Sequence, residues 1–161
     1  MILIDGKKTS LEIQDEIAEE VKYLKSKGKK IPHLAAVLVG NNGASKTYVD
    51  AKVKACERVG FHSSLVKLPD TISEDELLHK IEKLNQDDDV DGFIVQLPLP
   101  DHISEKKVTQ AIIPSKDVDG FHPENIGKTA LNLPAFLPAT PFGILQLLER
   151  YNIETSGKHC V

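Results

Sequence analysis

The sequence predicts an α/β fold, a three-layer αβα domain with a mainly parallel sheet, and three observations predict it. Short apolar runs alternate with segments of helical period along most of the chain. His33-Leu34-Ala35-Ala36-Val37-Leu38-Val39 is apolar at consecutive rather than alternate positions, the texture of a strand covered on both faces. A second such run, Gly92-Phe93-Ile94-Val95-Gln96, arrives only after intervening helical patterns long enough to cross over between parallel strands.

The elements follow in order. Thr9-Ser10 is the expected cap of a helix carrying Leu11, Ile13, Ile17, Val21 and Leu24 and ending at Gly28. The strand 33–39 is closed by Gly40. A helix from about Ser45 to Val59 stops at Gly60 and hands over to a strand around Ser64 to Leu68. Ser73 followed by Glu74, Asp75 and Glu76 is an acidic helix start suited to the macrodipole, for a helix through about Leu84. After the strand 92–96, Leu97-Pro98-Leu99-Pro100 cannot continue a central strand, because proline removes a ladder donor. A short helix near Glu105 to Ile112 leads into an expected long loop, Pro114 to Pro138. The last helix is expected to open at Thr140-Pro141, with proline at its first position. Ser156 to Val161 reads as a turn leading into a buried strand that stops as it begins, a sign of truncation.

Composition narrows the functional classes. A chain of 161 residues with 40% hydrophobic and 27% charged residues can bury a core, and has room for one domain or one plus a piece of another. A net charge of -4 leaves no basic footprint, so no nucleic-acid partner is expected. No signal peptide or long apolar run is present, so no membrane partner is expected either. Cys56 and Cys160 form no C-x-x-C pair and the six histidines show no ligand spacing, which argues against a disulfide framework or a metal site and for a reducing cytoplasm.

The chemistry concentrates in three places. On a helical wheel Tyr48, Lys52, Ala55 and Val59 share a stripe opposite Lys46, Asp50 and Glu57, so Lys52 points where a core or cleft belongs. A desolvated lysine can serve as a general base near neutral pH; the other reading is a stem that packs while its ammonium reaches water. Gln96 falls at the carboxyl end of its strand, where ligands bind in such sheets, although a strand-end glutamine is also at home in water. In Pro114-Ser115-Lys116-Asp117-Val118-Asp119-Gly120, one carboxylate can read a substrate's N–H groups, or both can serve turns of their own loop. A competing reading takes Gly40 to Thr47, between strand and helix, as a phosphate-binding loop of a stand-alone nucleotide-binding module; Ser45 replaces the second glycine such a loop requires.

Four ordered motifs carry a resemblance. They are Tyr48-Val49-x-x-Lys52 with Lys54-Ala55-Cys56, Val90 to Pro100, Pro114-x-Lys116-Asp117-Val118-Asp119-Gly120, and Pro138-Ala139-Thr140-Pro141-x-Gly143. The sequence resembles the N-terminal part of the bifunctional methylenetetrahydrofolate dehydrogenase/methenyltetrahydrofolate cyclohydrolase family. The resemblance implies residues 1–138 as a folate-binding catalytic domain and residues 139–161 as a connecting helix and the first residues of a truncated, NADP-binding Rossmann domain. It implies Lys52 as the proton-transfer residue, Gln96 hydrogen-bonding it and helping to keep it neutral, Tyr48 stacking beside the folate rings and Asp119 holding the pterin. Val95, Leu97, Pro98, Leu99 and Pro141 complete the implied substrate pocket. Implied too are a tetrahydrofolate substrate, NADP as cofactor with its binding residues beyond Val161, and a homodimer for the full-length enzyme. The chemistry would be oxidation of 5,10-methylenetetrahydrofolate followed by hydrolysis of the methenyl product to 10-formyltetrahydrofolate.

Overall fold

Three parallel strands order the chain in a computed structural model that describes residues 3–159. In chain order the elements are α1 (Gly6–Ser26), β1 (His33–Val39), α2 (Gly43–Val59), β2 (His62–Leu68), α3 (Glu74–Gln86), β3 (Gly92–Val95), α4 (Glu105–Ala111), α5 (Pro123–Ala130) and α6 (Ala139–Arg150). The sheet order is β2-β1-β3, with Ala36 of β1 opposite Leu65 on one side and Ile94 on the other.

Alternate side chains of β1 and β3 build two cores. Ala35, Val37, Val39, Phe93 and Val95 face α3 and α4, where Leu77, Ile81 and Val108 meet them. Ala36, Leu38 and Ile94 face α2, where Val49 is buried and Val53 partly so. The result is the expected three-layer arrangement. Each large apolar side chain so enclosed contributes about 1.5–3 kcal/mol. Alpha1 packs against α2, and α6 packs against α1 through the ion pair of Arg150 with Glu16.

Several boundaries differ from the sequence expectation, each for a local reason. Helix α1 is capped by Asp5, whose Oδ1 accepts from the Lys8 amide, and Thr9 lies inside the helix with its hydroxyl donating to the Asp5 carbonyl. Asn42 rather than Ser45 opens α2, while Gly60 ends it in the left-handed region as expected. Ser73 and Glu76 form a reciprocal capping box at α3. The segment 114–138 is not one loop, because His122 caps α5 and Pro123 occupies its first turn. Pro141 stands at the third rather than the first position of α6, still among the residues whose amides have no partner within the helix. Lys158 and His159 are not in a strand, and the rest of the strand expected there, Cys160 and Val161, lies outside the described residues. Among the described residues no helix is long and apolar enough to cross a membrane.

Candidate active site

The carboxyl ends of β1 and β3, the adjacent face of α2 and the loop after α4 come together at one end of the sheet. Gln96 leaves β3 with its amide bonded to the Val37 carbonyl at 2.9 Å, which fixes it at the sheet's end. Its side-chain Nε2 donates to the Leu97 carbonyl at 2.7 Å, so its Oε1 is turned toward α2. There Lys52 Nζ donates to it at 3.4 Å. The lysine and glutamine, 44 residues apart in sequence, are thus brought together by α2 packing on the sheet.

Alpha2 does not bury the stripe that the wheel suggested. Its buried residues are Ser45, Val49, Cys56 and Val59, with Lys52 half-buried at their margin and Tyr48 66% exposed. Ser45 and Cys56 are small, so a wheel read for bulky apolar groups misplaces the buried face by about one residue. The displacement suits a cleft: Lys52 sits at the boundary of core and solvent, and the Tyr48 ring lies free beside it. Ser45 Oγ reaches the Leu97 carbonyl at 3.4 Å, tying the start of α2 to the Leu97-Pro98 segment, whose peptide bond is cis.

The two acids of the 116–120 segment part company. Asp117 is 2% exposed and accepts from the amides of Phe121 and His122 and from Asn125 Nδ2. Asp119 is half-buried, and among the described residues its carboxylate has no hydrogen-bond partner. Burial pushes the Asp119 carboxyl above the usual aspartate range; the positive charge of Lys52 opposes that rise and the Asp117 carboxylate adds to it. The space beneath, lined by Val95, Leu97, Thr109, Asp117, Asp119 and Phe121 among others, is only about 10 Å³, so Asp119 sits over packed side chains rather than a deep pocket. Gly120 turns the chain here at φ 69°, and a Cβ on it would sit 2.7 Å from the Leu137 carbonyl carbon and the Pro138 nitrogen. Only glycine lets the loop press so closely against residues 136–138.

Of the residues expected in the site, the structure pairs Lys52 with Gln96 and sets Asp119 beside Leu97 and the buried Val95, while Tyr48 is exposed one turn before Lys52. Leu99 instead points into the core between the sheet and α3, and Pro98 is exposed. Pro141 is exposed on α6, whose packing is against α1. Sequence reasoning missed Ser45 and Asn125. The signal for Asn125 was present in His122-Pro123-Glu124, a cap, a first-turn proline and a first-turn acid.

The phosphate-loop reading of residues 40–47 loses its donors. Asn42 Oδ1 accepts from the amides of Ala44 and Ser45 at 3.0 and 3.1 Å, so these amides are not free for a phosphate. The described residues contain no group of three His, Cys, Asp or Glu side chains that could hold a metal ion.

Comparison with known proteins gives the family. Residues 4–119 match the model of the tetrahydrofolate dehydrogenase/cyclohydrolase catalytic domain. The chain is 65% identical over its whole length to the bifunctional protein FolD of Flavobacterium johnsoniae, and covers 55% of that protein. It superposes with a TM-score of 0.94 on the crystal structure of the bifunctional FolD dehydrogenase/cyclohydrolase of Campylobacter jejuni, at 50% identity, covering 98% of this chain and 56% of that one. A Trypanosoma brucei dehydrogenase-cyclohydrolase, solved with NADP cofactor and an inhibitor, superposes with a TM-score of 0.93 at 32% identity, covering 98% of this chain and 54% of that one. The chain therefore spans about half the length of the relatives it matches.

Proposed function

The chain belongs to the tetrahydrofolate dehydrogenase/cyclohydrolase family, and from that premise we propose that it carries the folate-binding, proton-transferring half of a bifunctional one-carbon enzyme. The whole enzyme oxidises 5,10-methylenetetrahydrofolate with NADP and hydrolyses the methenyl product to 10-formyltetrahydrofolate. Residues 1–138 form the folate domain and residues 139–161 begin the connection to the nucleotide half. A cytoplasmic setting and a homodimer of the full-length enzyme belong to the same reading; the free, buried Cys56 suits the first.

The observation that carries the reading is the pairing of Lys52 with Gln96 at the end of the sheet, with the half-buried Asp119 near enough to feel the lysine's charge. In the hydrolysis, water adds to the bridging carbon of the methenyl group and gives up one proton to Lys52. The carbon–N5 bond then breaks with N5 protonated, leaving the formyl group on N10 and releasing one proton overall. Gln96 Oε1 orients the Lys52 amine. The Asp119 carboxylate accepts from the amine and ring N–H of the pterin, and Tyr48 supplies a ring face to the substrate.

The described residues do not fit NADP. The turn carrying glycine between a strand and a helix is 40–42, and Asn42 has taken the first helix donors there.

The test is hydrolysis of 5,10-methenyltetrahydrofolate, followed as loss of its absorbance, by a full-length protein carrying this sequence. Lys52→Met is expected to abolish hydrolysis while folate binding persists. Undiminished hydrolysis overturns the role of Lys52.

A further inference from the structure

Asp117 occupies an unusual position for a carboxylate. At 2% exposure it is among the most buried side chains of the molecule, and among the described residues N–H groups alone hold it. Removing a carboxylate from water without several such donors would be costly. Its Oδ1 accepts from the Phe121 amide at 3.3 Å, and its Oδ2 from the His122 amide at 2.8 Å and Asn125 Nδ2 at 2.9 Å. Two of those donors, the Phe121 and His122 amides, lie just past Asp119 and Gly120, so the side chain of Asp117 closes a ring around residues 117–122. Asn125 extends the ring, since its Nδ2 also donates to the Pro114 carbonyl at 2.9 Å and so grips the segment before Asp119 as well.

The backbone completes the frame. Phe93 donates to the Lys116 carbonyl at 3.0 Å, and Phe93 and Asp117 form a parallel bridge, so the loop begins as a short continuation of the sheet. Gly120 donates to the Asp117 carbonyl at 3.2 Å. Asp119 is thus carried on a turn fixed on both sides, while its own carboxylate stays unpaired toward the cleft.

We propose that Asp117 and Asn125 are positioning residues whose buried pairing holds the loop that presents Asp119 to the substrate. The proposal rests on the folate reading for the identity of that substrate, but not for the placement of Asp119. It also explains why an acid rather than an amide stands at 117. An asparagine has one acceptor oxygen, so its NH2 group would face the amide of Phe121 or those of His122 and Asn125.

Two variants and two readouts test it. In Asp117→Asn and Asn125→Ala, the affinity for 5-formyltetrahydrofolate is expected to fall about tenfold, the size of one lost buried hydrogen bond. The carboxyl 13C signal of Asp119 should titrate at a lower midpoint in both. The charges facing Asp119 are Lys52 on α2 and Asp117 on its own loop. Asn125→Ala leaves both in place, so a lowered midpoint there reports a displaced loop rather than a deleted charge. If Asn125→Ala does not fold, Asn125→Ser, which also leaves both charges in place, carries both readouts. Folded variants whose Asp119 midpoint and folate affinity are unchanged, even with a lower melting temperature, overturn the proposal. A lowered Asp119 midpoint in the variants, where the wild-type protein itself binds no 5-formyltetrahydrofolate, upholds the positioning and overturns the folate reading.

Discussion

Gly92 is where the fold and the site meet most tightly. Segment 116–118 lies flush on β3, and a Cβ built on Gly92 would stand 2.3 Å from Val118 Cγ1 and 3.5 Å from both the Lys116 carbonyl and Val118 Cβ. The first contact is a clash, and the other two are ordinary. Replacing a strand glycine by alanine normally gains about 0.5–1 kcal/mol of backbone entropy. Overpacking of this kind costs about 1–3 kcal/mol, so Gly92→Ala is expected to be destabilising on balance. Val118→Ala removes two methyl groups from a half-buried side chain packed against Ala36, Leu38, Val49 and Ile94, a loss of about 1–2 kcal/mol. The double variant removes the atom that the new methyl strikes. It should therefore keep the entropy gain and be about 0.5–1 kcal/mol more stable than Val118→Ala alone, giving a coupling of about 1–3 kcal/mol in a double-mutant cycle. Urea denaturation of the four proteins measures it. Additivity within about 0.5 kcal/mol would refute the claim that the loop before Asp119 is seated on the glycine face of β3.

Two further outcomes follow from the same structure. Because burial raises the folded Asp119 carboxyl above its unfolded value, its contribution favours folding at acid pH and is lost as pH rises through the raised value. Asp119→Asn should therefore be more stable than wild type at neutral pH, with the difference vanishing below the ordinary aspartate range; melting temperatures of both proteins across that window measure it, and a constant difference contradicts it. Ser73→Ala removes the side-chain half of the α3 capping box and should cost about 1 kcal/mol in urea denaturation without altering folate affinity.

Much of this was legible in the sequence where local and global signals agreed. Strand β1 announces itself by seven consecutive residues with no charged side chain, and α3 by Ser73 and the acids after it. Lys52 and Gln96 were visible as a lysine off the solvated side of its helix and an amide at a strand end. Three things were not. The buried face of α2 runs through Ser45 and Cys56, whose small side chains carry little apolar signal. Helix α5 was hidden by the Gly, Pro and Asn content of its surroundings, although His122-Pro123-Glu124 marks its start. The separation of Asp117 from Asp119 depends on Asn125 and on backbone amides folded back beneath them, contacts that spacing alone does not specify.

The most direct measurement is an NMR titration of the protein with 5-formyltetrahydrofolate, reading backbone amides and the Lys52, Gln96 and Asp119 side chains. The account predicts shift changes concentrated at Tyr48, Lys52, Val95, Gln96, Leu97 and Asp119. No change, or change confined to residues 40–47, would contradict it.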